Sequence, residues 1–109
     1  MAARKQIDVQ DNSLDTRLKI EVFSAPSCSK CGKTFQLVEQ VLKKFDASVS
    51  ASIDYRLVNI VDELDYTVAL GIVATPSIAI NGQLIFTGMP SETALREAIQ
   101  SRQVKQDNQ

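Results

Sequence analysis

The sequence has 109 residues, a formal net charge of −1, and 44% hydrophobic and 23% charged residues. These values are typical of a single soluble globular domain and exclude a general attraction to nucleic acid or to an anionic membrane surface. There is no apolar run long enough to span a membrane, and the absence of histidine excludes imidazole chemistry and histidine-containing metal sites.

Residues 1–16 are polar and show no sustained period, so we expect them to form an N-terminal extension to the domain. They mix Arg4 and Lys5 with aspartates and contain no apolar stretch, which disfavours a signal or transit peptide. A cytoplasmic location is therefore predicted. In that compartment a lone cysteine pair is more often catalytic or metal-binding than structural.

The first regular element is predicted between Arg17 and Phe23. Leu18, Ile20 and Val22 alternate with charged residues there, which is the period of a half-buried β-strand. The segment 24–27 ends the strand because its proline cannot donate a ladder hydrogen bond.

The next stretch contains both cysteines of the chain, and the apolar period changes there from that of a strand to that of a helix. Steps of four and three predict an amphipathic helix from Cys28 onward. Its apolar stripe consists of Cys31, Phe35, Val38, Leu42 and Phe45.

The second half of the chain predicts three more strands and two more helices. Asn81-Gly82 between apolar runs is a strong hairpin signal. The order β-α-β-α-β-β-α requires one parallel crossover and one hairpin, which a mixed four-stranded sheet covered by helices satisfies. The predicted segments are a polar connection at 46–52, a strand at 53–60, a short helix ended by Gly71, strands at 76–80 and 84–86, a helix capped by Ser91, and a frayed tail at 105–109.

The two cysteines are predicted to differ in reactivity. In the first turn of a helix, Cys28 would lie near unpaired N–H groups and the positive end of the helix dipole. Lys30 and Lys33 add positive charge and the Ser29 hydroxyl is a further donor, so these three residues are candidates to lower the pKa of Cys28 from about 8.5. Cys31 belongs to the buried stripe and should keep a pKa at or above that value.

Other interpretations of the cysteine pair also follow from the residues. A structural disulfide closing so short a loop would stabilise the fold by only roughly 2 kcal/mol. A zinc site would lack half of its ligands, and inert core cysteines do not fit the polar neighbours of Cys28. The main alternative is a carrier or regulatory module that shares a metal or iron–sulfur cluster between two chains through Cys28. A redox-gated binding domain is a third possibility.

Several motifs together resemble a known family. These are Pro-x-Cys-x-x-Cys at 26–31, Ala-Thr-Pro-Ser at 74–77, Asn-Gly at 81–82, and Gly88 before the last helix. The combination resembles the thioredoxin superfamily and, more narrowly, its small glutaredoxin-like thioredoxins. The resemblance covers roughly residues 17–104. It implies a thioredoxin-like α/β fold of three layers.

The resemblance also implies an activity and a set of site residues. The protein would be a thiol–disulfide oxidoreductase that reduces protein disulfides in cell redox homeostasis. Cys28 would be the nucleophile and Cys31 the resolving cysteine, with a redox-active Cys28–Cys31 disulfide in the oxidised form. Pro76 would be a cis-proline, the backbone of Thr75 would pair with a bound substrate segment, and Gly88 would border the substrate groove.

Departures from the family pattern affect the expected proton acceptor and partners. The place of the family's buried aspartate falls on Val22, so Glu21 or water would have to accept the proton of Cys31. The segment Gly88-Met89-Pro90 replaces the glycine pair of glutaredoxins, which disfavours glutathione. The expected partners are protein disulfides and either a thioredoxin reductase-like enzyme or another dithiol donor. No cofactor, metal, nucleic acid or membrane partner is expected, and the protein is predicted to be a monomer.

Overall fold

The computed structural model describes residues 17–107. The predicted order of elements is confirmed, with one additional helical turn after the first helix. The elements are β1 (Leu18–Ser24), α1 (Cys31–Lys43), α2 (Ala47–Ser50), β2 (Ile53–Asn59), α3 (Leu64–Ala69), β3 (Ser77–Ile80), β4 (Gln83–Thr87) and α4 (Glu92–Asp107).

Strand β1 lies at the centre of a mixed four-stranded sheet of order β2-β1-β3-β4. It pairs in parallel with β2 from Leu18 opposite Ile53 onward, because the α1 crossover returns the chain in the same direction. It pairs antiparallel with β3, and Phe23 lies opposite Ser77. The carboxyl end of β1 therefore lies beside the start of β3.

Helices cover both faces of the sheet, which confirms the three-layer prediction. Helices α1 and α4 pack on one face and α3 packs on the other. The larger core lies under α1 and α4 and comprises Leu18, Ile20, Val22, Leu37, Val38, Val41, Leu42, Ile53, Ile78, Ile80, Leu95 and Ile99. The smaller core, on the α3 side, comprises Phe23, Val58, Ile72 and Ala79.

The turns follow from local chemistry. Asn81 and Gly82 both have positive φ, 53° and 78°, as the twist of a two-residue hairpin requires. Gly71, at φ 78°, ends α3: its N–H donates to Val68 O at 3.0 Å, and that of Ile72 donates to Thr67 O at 3.2 Å. This pair of bonds is the Schellman arrangement. It directs the chain from α3 straight into the loop that precedes β3.

Some element boundaries differ from those predicted. The helix predicted from Cys28 begins three residues later, at Cys31, and the strand predicted from Pro76 begins at Ser77. The connection predicted at 46–52 contains the helix α2. The N-terminal extension at 1–16 lies outside the described residues, as do residues 108–109. Fraying of 105–109 stays a prediction. Within residues 17–107 no helix combines the length and apolar character needed to cross a membrane.

Candidate redox site

Cys28 and Cys31 form a disulfide at the carboxyl end of β1. Their sulfurs are 2.11 Å apart and their Cα atoms 5.5 Å apart. Cys31 is only 4% exposed, whereas Cys28 is partly exposed. The pair therefore presents one sulfur to solvent and keeps the other inside, which is the asymmetry expected from the sequence.

The loop before α1, rather than the helix itself, holds Cys28. The N–H of Cys28 donates to Ala25 O at 3.1 Å, which closes a turn after the end of β1. The carbonyl of Lys30 then accepts the N–H of Thr34 at 3.0 Å and its hydroxyl at 2.8 Å, which starts the helix. The prediction that Cys28 occupies the first helical turn is thus wrong. The cysteine nevertheless precedes the amino-terminal end of α1, where unpaired N–H groups carry positive partial charge.

Cys31 packs against the backbone of the central strand. Its Sγ lies 3.8 Å from the carbonyl oxygen of Phe23. Phe23 is opposite Ser77 in the sheet, so the sulfur of Cys31 and the start of β3 lie at the same end of the sheet. This register brings the cysteine loop beside the loop that ends with Thr75 and Pro76.

The residues expected to border a substrate lie together at that end of the sheet. The Thr75–Pro76 peptide bond is cis, as the resemblance implied. Gly88, at φ 92°, donates its N–H to Pro76 O at 2.6 Å, and Ser77 donates its hydroxyl to Ala74 O at 2.7 Å. Pro76 is buried while Thr75 is partly exposed. Thr75, Pro76 and Gly88 thus form one cluster, on a backbone that hydrogen bonds hold in place.

The three residues expected to tune Cys28 all have exposed side chains. They are Ser29, Lys30 and Lys33. Charges in that position act through solvent, so their effect on a thiolate is modest and sensitive to salt. Their influence on Cys28 stays a prediction.

An ionic network around the buried Glu21 lies on the α3 side of the sheet and was not anticipated from the sequence. Glu21 is 7% exposed and accepts hydrogen bonds from Arg56 Nε at 3.0 Å and from the Tyr66 hydroxyl. Arg56 also donates to Glu63 at 2.8 and 3.1 Å. The partners of Glu21 are 35 and 45 residues away along the chain, so no local pattern could reveal them.

This network perturbs the titration of two of its members. Burial and the hydrogen bond to Glu21 raise the pKa of Tyr66 to about 12. The hydrogen bonds to Glu63 and Glu21 raise the pKa of Arg56 above its usual range. The Tyr66 ring lies 5.8 Å from that of Phe23, so the network adjoins the strand residue whose carbonyl contacts Cys31.

The position matched to the family's buried aspartate is apolar in this chain. Val22 is 0% exposed and belongs to the core under α1 and α4. Glu21, the preceding residue, points to the opposite face, as its contacts with Arg56 and Tyr66 require. Its two carboxylate oxygens are each engaged by one of these donors.

Metal coordination was the main alternative chemistry for the cysteine pair. Within residues 17–107, no three or more cysteine, aspartate or glutamate side chains come together in a way that could hold a metal ion. A cluster shared through Cys28 would need ligands from a second chain, and that alternative stays a prediction.

Comparisons with known proteins agree with this architecture. The family model described as Thioredoxin domain matches residues 18–100. The thioredoxin of Methanocaldococcus jannaschii is 34% identical over 87 residues, which cover 80% of this chain and 98% of that protein. The probable thioredoxin of Methanothermobacter thermautotrophicus is 35% identical over 82 residues, covering 75% of this chain and 92% of that protein.

A solved structure shares the fold. A mutant thioredoxin from Halobacterium salinarum superposes with a TM-score of 0.65 at 18% identity, covering 84% of this chain and 79% of that one. The match to the family model and the identity with the two archaeal relatives both extend over most of this sequence. The chain therefore belongs to the thioredoxin family of thiol–disulfide oxidoreductases.

Proposed function

We propose that this protein reduces disulfides of other proteins, with Cys28 as the nucleophile and Cys31 as the resolving cysteine. The observation that carries the proposal is the bonded pair with one partly exposed and one buried sulfur, beside the cis-proline loop. Only the partly exposed sulfur of Cys28 can reach the disulfide of a folded substrate. The buried sulfur of Cys31 is within bonding distance of Cys28 and can attack the mixed disulfide.

The reaction transfers two electrons from the Cys28/Cys31 dithiol to the substrate disulfide. The Cys28 thiolate attacks one sulfur of the substrate disulfide, so a mixed disulfide forms and the first substrate thiolate leaves. Cys31 loses its proton and attacks the Cys28 sulfur, which releases the second substrate thiolate and leaves the Cys28–Cys31 disulfide. Because both carboxylate oxygens of Glu21 accept hydrogen bonds from Arg56 and Tyr66, we propose that water accepts the proton of Cys31.

The cluster of Thr75, Pro76 and Gly88 supports a docking role in this reaction. A substrate segment running along Thr75 would hydrogen-bond to its backbone as an added strand, and Gly88 would leave room for it. Lys30, Lys33 and Ser29 would favour the thiolate of Cys28 by charge and hydrogen bonding. We propose that the protein acts as a monomer in the cytoplasm.

Single substitutions of the cysteines test the mechanism. Cys28→Ser should abolish reduction of insulin disulfides, whereas Cys31→Ser should accumulate a covalent mixed disulfide that dithiothreitol releases. Ser27→Ala, an exposed neighbour with no thiol, should retain the wild-type rate. Reduction of insulin by the Cys28→Ser protein at the wild-type rate would show that the mechanism is wrong.

The reductant that regenerates the dithiol is tested separately. We expect turnover with a thioredoxin reductase, and much slower turnover with glutathione plus glutathione reductase, because Met89 and Pro90 follow Gly88 where glutaredoxins carry a second glycine. Faster turnover with glutathione would contradict this assignment of the partner without contradicting the cysteine roles.

A further inference from the structure

Helix α3 makes few apolar contacts with the sheet on which it packs. It has six residues, Leu64–Ala69, and Thr67 is the one among them that is buried. Tyr66 and Leu70 are partly buried against the smaller core. A helix this short is not stable by itself in water, so its position depends on tertiary contacts. Polar contacts must therefore contribute much of what fixes α3 in place.

Arg56 supplies contacts of this kind. It lies on β2 directly opposite Glu21 of β1. Its guanidinium donates to Glu21 Oε2 from Nε at 3.0 Å, and Nη2 lies 2.8 Å from the same oxygen. Nη1 and Nη2 also donate to the two oxygens of Glu63, at 2.8 and 3.1 Å. Since Glu63 immediately precedes α3, Arg56 bridges the sheet and the start of that helix, with the fixed fork of donors that a guanidinium presents.

A second tie joins α3 to the same carboxylate. The Tyr66 hydroxyl donates to Glu21 Oε1, the oxygen that Arg56 leaves free. Glu21 is 7% exposed, so the bonds that it accepts are shielded from water and stronger than those of a surface pair. The side chains of Arg56 and Glu63 are 49% and 35% exposed, so their bond is the weaker part. We name these four residues the Glu21 network.

The other end of α3 is fixed to the loop where we propose that substrate docks. The N–H groups of Gly71 and Ile72 donate to carbonyls of the last turn of α3, and Ile72 is 8% exposed. Three residues separate Ile72 from Pro76. We name residues 72–76 the substrate loop. A shift of α3 on the sheet would move this loop relative to Cys28.

The Glu21 network is separate from the sulfur chemistry. Its hydrogen bonds join its own four members, whereas the Sγ of Cys31 lies against the carbonyl oxygen of Phe23. Both carboxylate oxygens of Glu21 are engaged within the network. Its loss should therefore change where a protein substrate docks and leave the reactivity of the two cysteines intact.

We propose that Arg56 is a positioning residue of this reaction. Through Glu21 and Glu63 it holds α3 on the sheet, and with α3 it holds the substrate loop at the distance from Cys28 that a protein disulfide requires. This inference rests on the proposed function, because it takes the substrate loop as the place where protein disulfides bind.

Kinetics with a large and a small disulfide test the proposal. Arg56→Met should lower kcat/KM for insulin by about 10-fold, mainly through KM, because a displacement of about 1 Å in a positioning element is costly. Glu63→Ala breaks only the partly exposed bond and should lower it by about 3-fold. Both variants should cleave dithionitrobenzoate, and react with iodoacetamide at Cys28, at the wild-type rate.

Asp65→Ala is the matched control for Glu63→Ala. Asp65 is an exposed carboxylate two residues further along the chain and takes no part in the Glu21 network. This variant should retain the wild-type kcat/KM for insulin. An equal loss in Asp65→Ala and Glu63→Ala would assign the effect to the negative charge of this segment and overturn the inference.

A double-mutant cycle shows whether Arg56 acts through Glu63. The protein with both Arg56→Met and Glu63→Ala should lose no more kcat/KM for insulin than Arg56→Met alone, because the second change removes a bond that is already broken. A combined loss equal to the product of the two single losses would mean that the residues act independently, which would contradict the proposed bridge.

Hydrogen exchange under native conditions separates positioning from a general loss of stability. In Arg56→Met the N–H groups of Gly71 and Ile72 should exchange faster, whereas that of Thr34, bonded to Lys30 O at the start of α1, should not. Equal acceleration at all three would show that the substitution destabilises the whole fold and would overturn the inference.

The remaining outcomes distinguish this inference from the proposed function. Wild-type KM for insulin in Arg56→Met and Glu63→Ala would overturn the inference while the cysteine roles stand. If Arg56→Met does not fold, Glu63→Ala and Tyr66→Phe decide, and each should raise KM for insulin by about 3-fold. If the wild type reduces neither insulin nor dithionitrobenzoate, the proposed function itself fails.

Discussion

The Sγ of Cys31 lies 3.8 Å from the carbonyl oxygen of Phe23, a residue of the central strand that is itself fully buried. In the reduced protein that carbonyl can accept a hydrogen bond from the Cys31 thiol. Cys28 has no such acceptor among the described hydrogen bonds and is partly exposed. The two thiols therefore differ in both access and environment.

The first prediction follows from this difference. In the reduced native protein, iodoacetamide should alkylate Cys28 at least about 10-fold faster than Cys31, because the thiolate is the nucleophile and only Cys28 is accessible. Mass spectrometry of proteolytic peptides measures the two rates. In denaturant the rates should become similar, and equal rates in the native protein would contradict the proposed division of roles.

The second prediction concerns the lysine between the cysteines. Lys30→Glu should lower the alkylation rate of Cys28 at pH 7 by about 3-fold, because a negative charge near the sulfur disfavours the thiolate. The difference should shrink in 1 M salt, where the screening length is about 3 Å. The pH dependence of alkylation should move to higher pH in the variant.

Lys43→Glu provides the control for Lys30→Glu, since it makes the same charge change at the other end of α1 on an exposed side chain. It should leave the reactivity of Cys28 unchanged. A similar effect of both substitutions would assign the change to net charge rather than to position.

The third prediction concerns the buried carboxylate. In a double-mutant cycle with Glu21→Gln and Arg56→Met, we expect a coupling free energy of about 1 kcal/mol or more, because removing Arg56 alone leaves a buried charge poorly compensated. Urea unfolding of the four proteins measures it. A cycle on Arg17 and Asp54, whose paired side chains are both more than half exposed, should show little coupling. Coupling as small at Glu21 would mean that burial does not strengthen this pair.

The fourth prediction is a pH effect of Tyr66. Its pKa is about 12 in the folded protein, above the ordinary value of 10. A group whose pKa is raised on folding stabilises the protein fully below its unfolded pKa, and the effect is lost as the pH rises through the folded value. Tyr66 should therefore stabilise the fold at pH 7, and this contribution should disappear between about pH 10 and pH 12.

Tyr66→Phe isolates that contribution, because other groups titrate equally in both proteins. The variant should be less stable than the wild type by about 1 kcal/mol at pH 7, through loss of the hydrogen bond to Glu21. The difference should vanish near pH 12. A difference that stays constant from pH 9 to pH 12 would show that ionisation of Tyr66 is not coupled to folding.

Much of the fold could be predicted because its signals are local. Alternation in β1, the helical stripe of α1 and the Asn81-Gly82 turn each depend on residues a few positions apart, and each confers its structure through backbone geometry. The predictions that were wrong concern where elements begin and one short helix. A turn closed by the hydrogen bond from Cys28 N–H to Ala25 O precedes the helix, which therefore begins at Cys31 rather than at Cys28. Helix α2 forms within a stretch too short and polar to show a period.

The sequence by itself therefore determined the type and order of the elements, and the presence of a cysteine pair before a helix. Only the tertiary structure decided that Phe23 and Ser77 bring the cysteine loop beside Pro76, and that Glu21 is engaged by Arg56 and Tyr66 on the α3 side. The physical reason is distance along the chain. The periods of two and 3.6 residues that indicate strands and helices depend on residues close together in the sequence. The neighbours of a buried group, in contrast, are set by strand register and by packing between segments tens of residues apart.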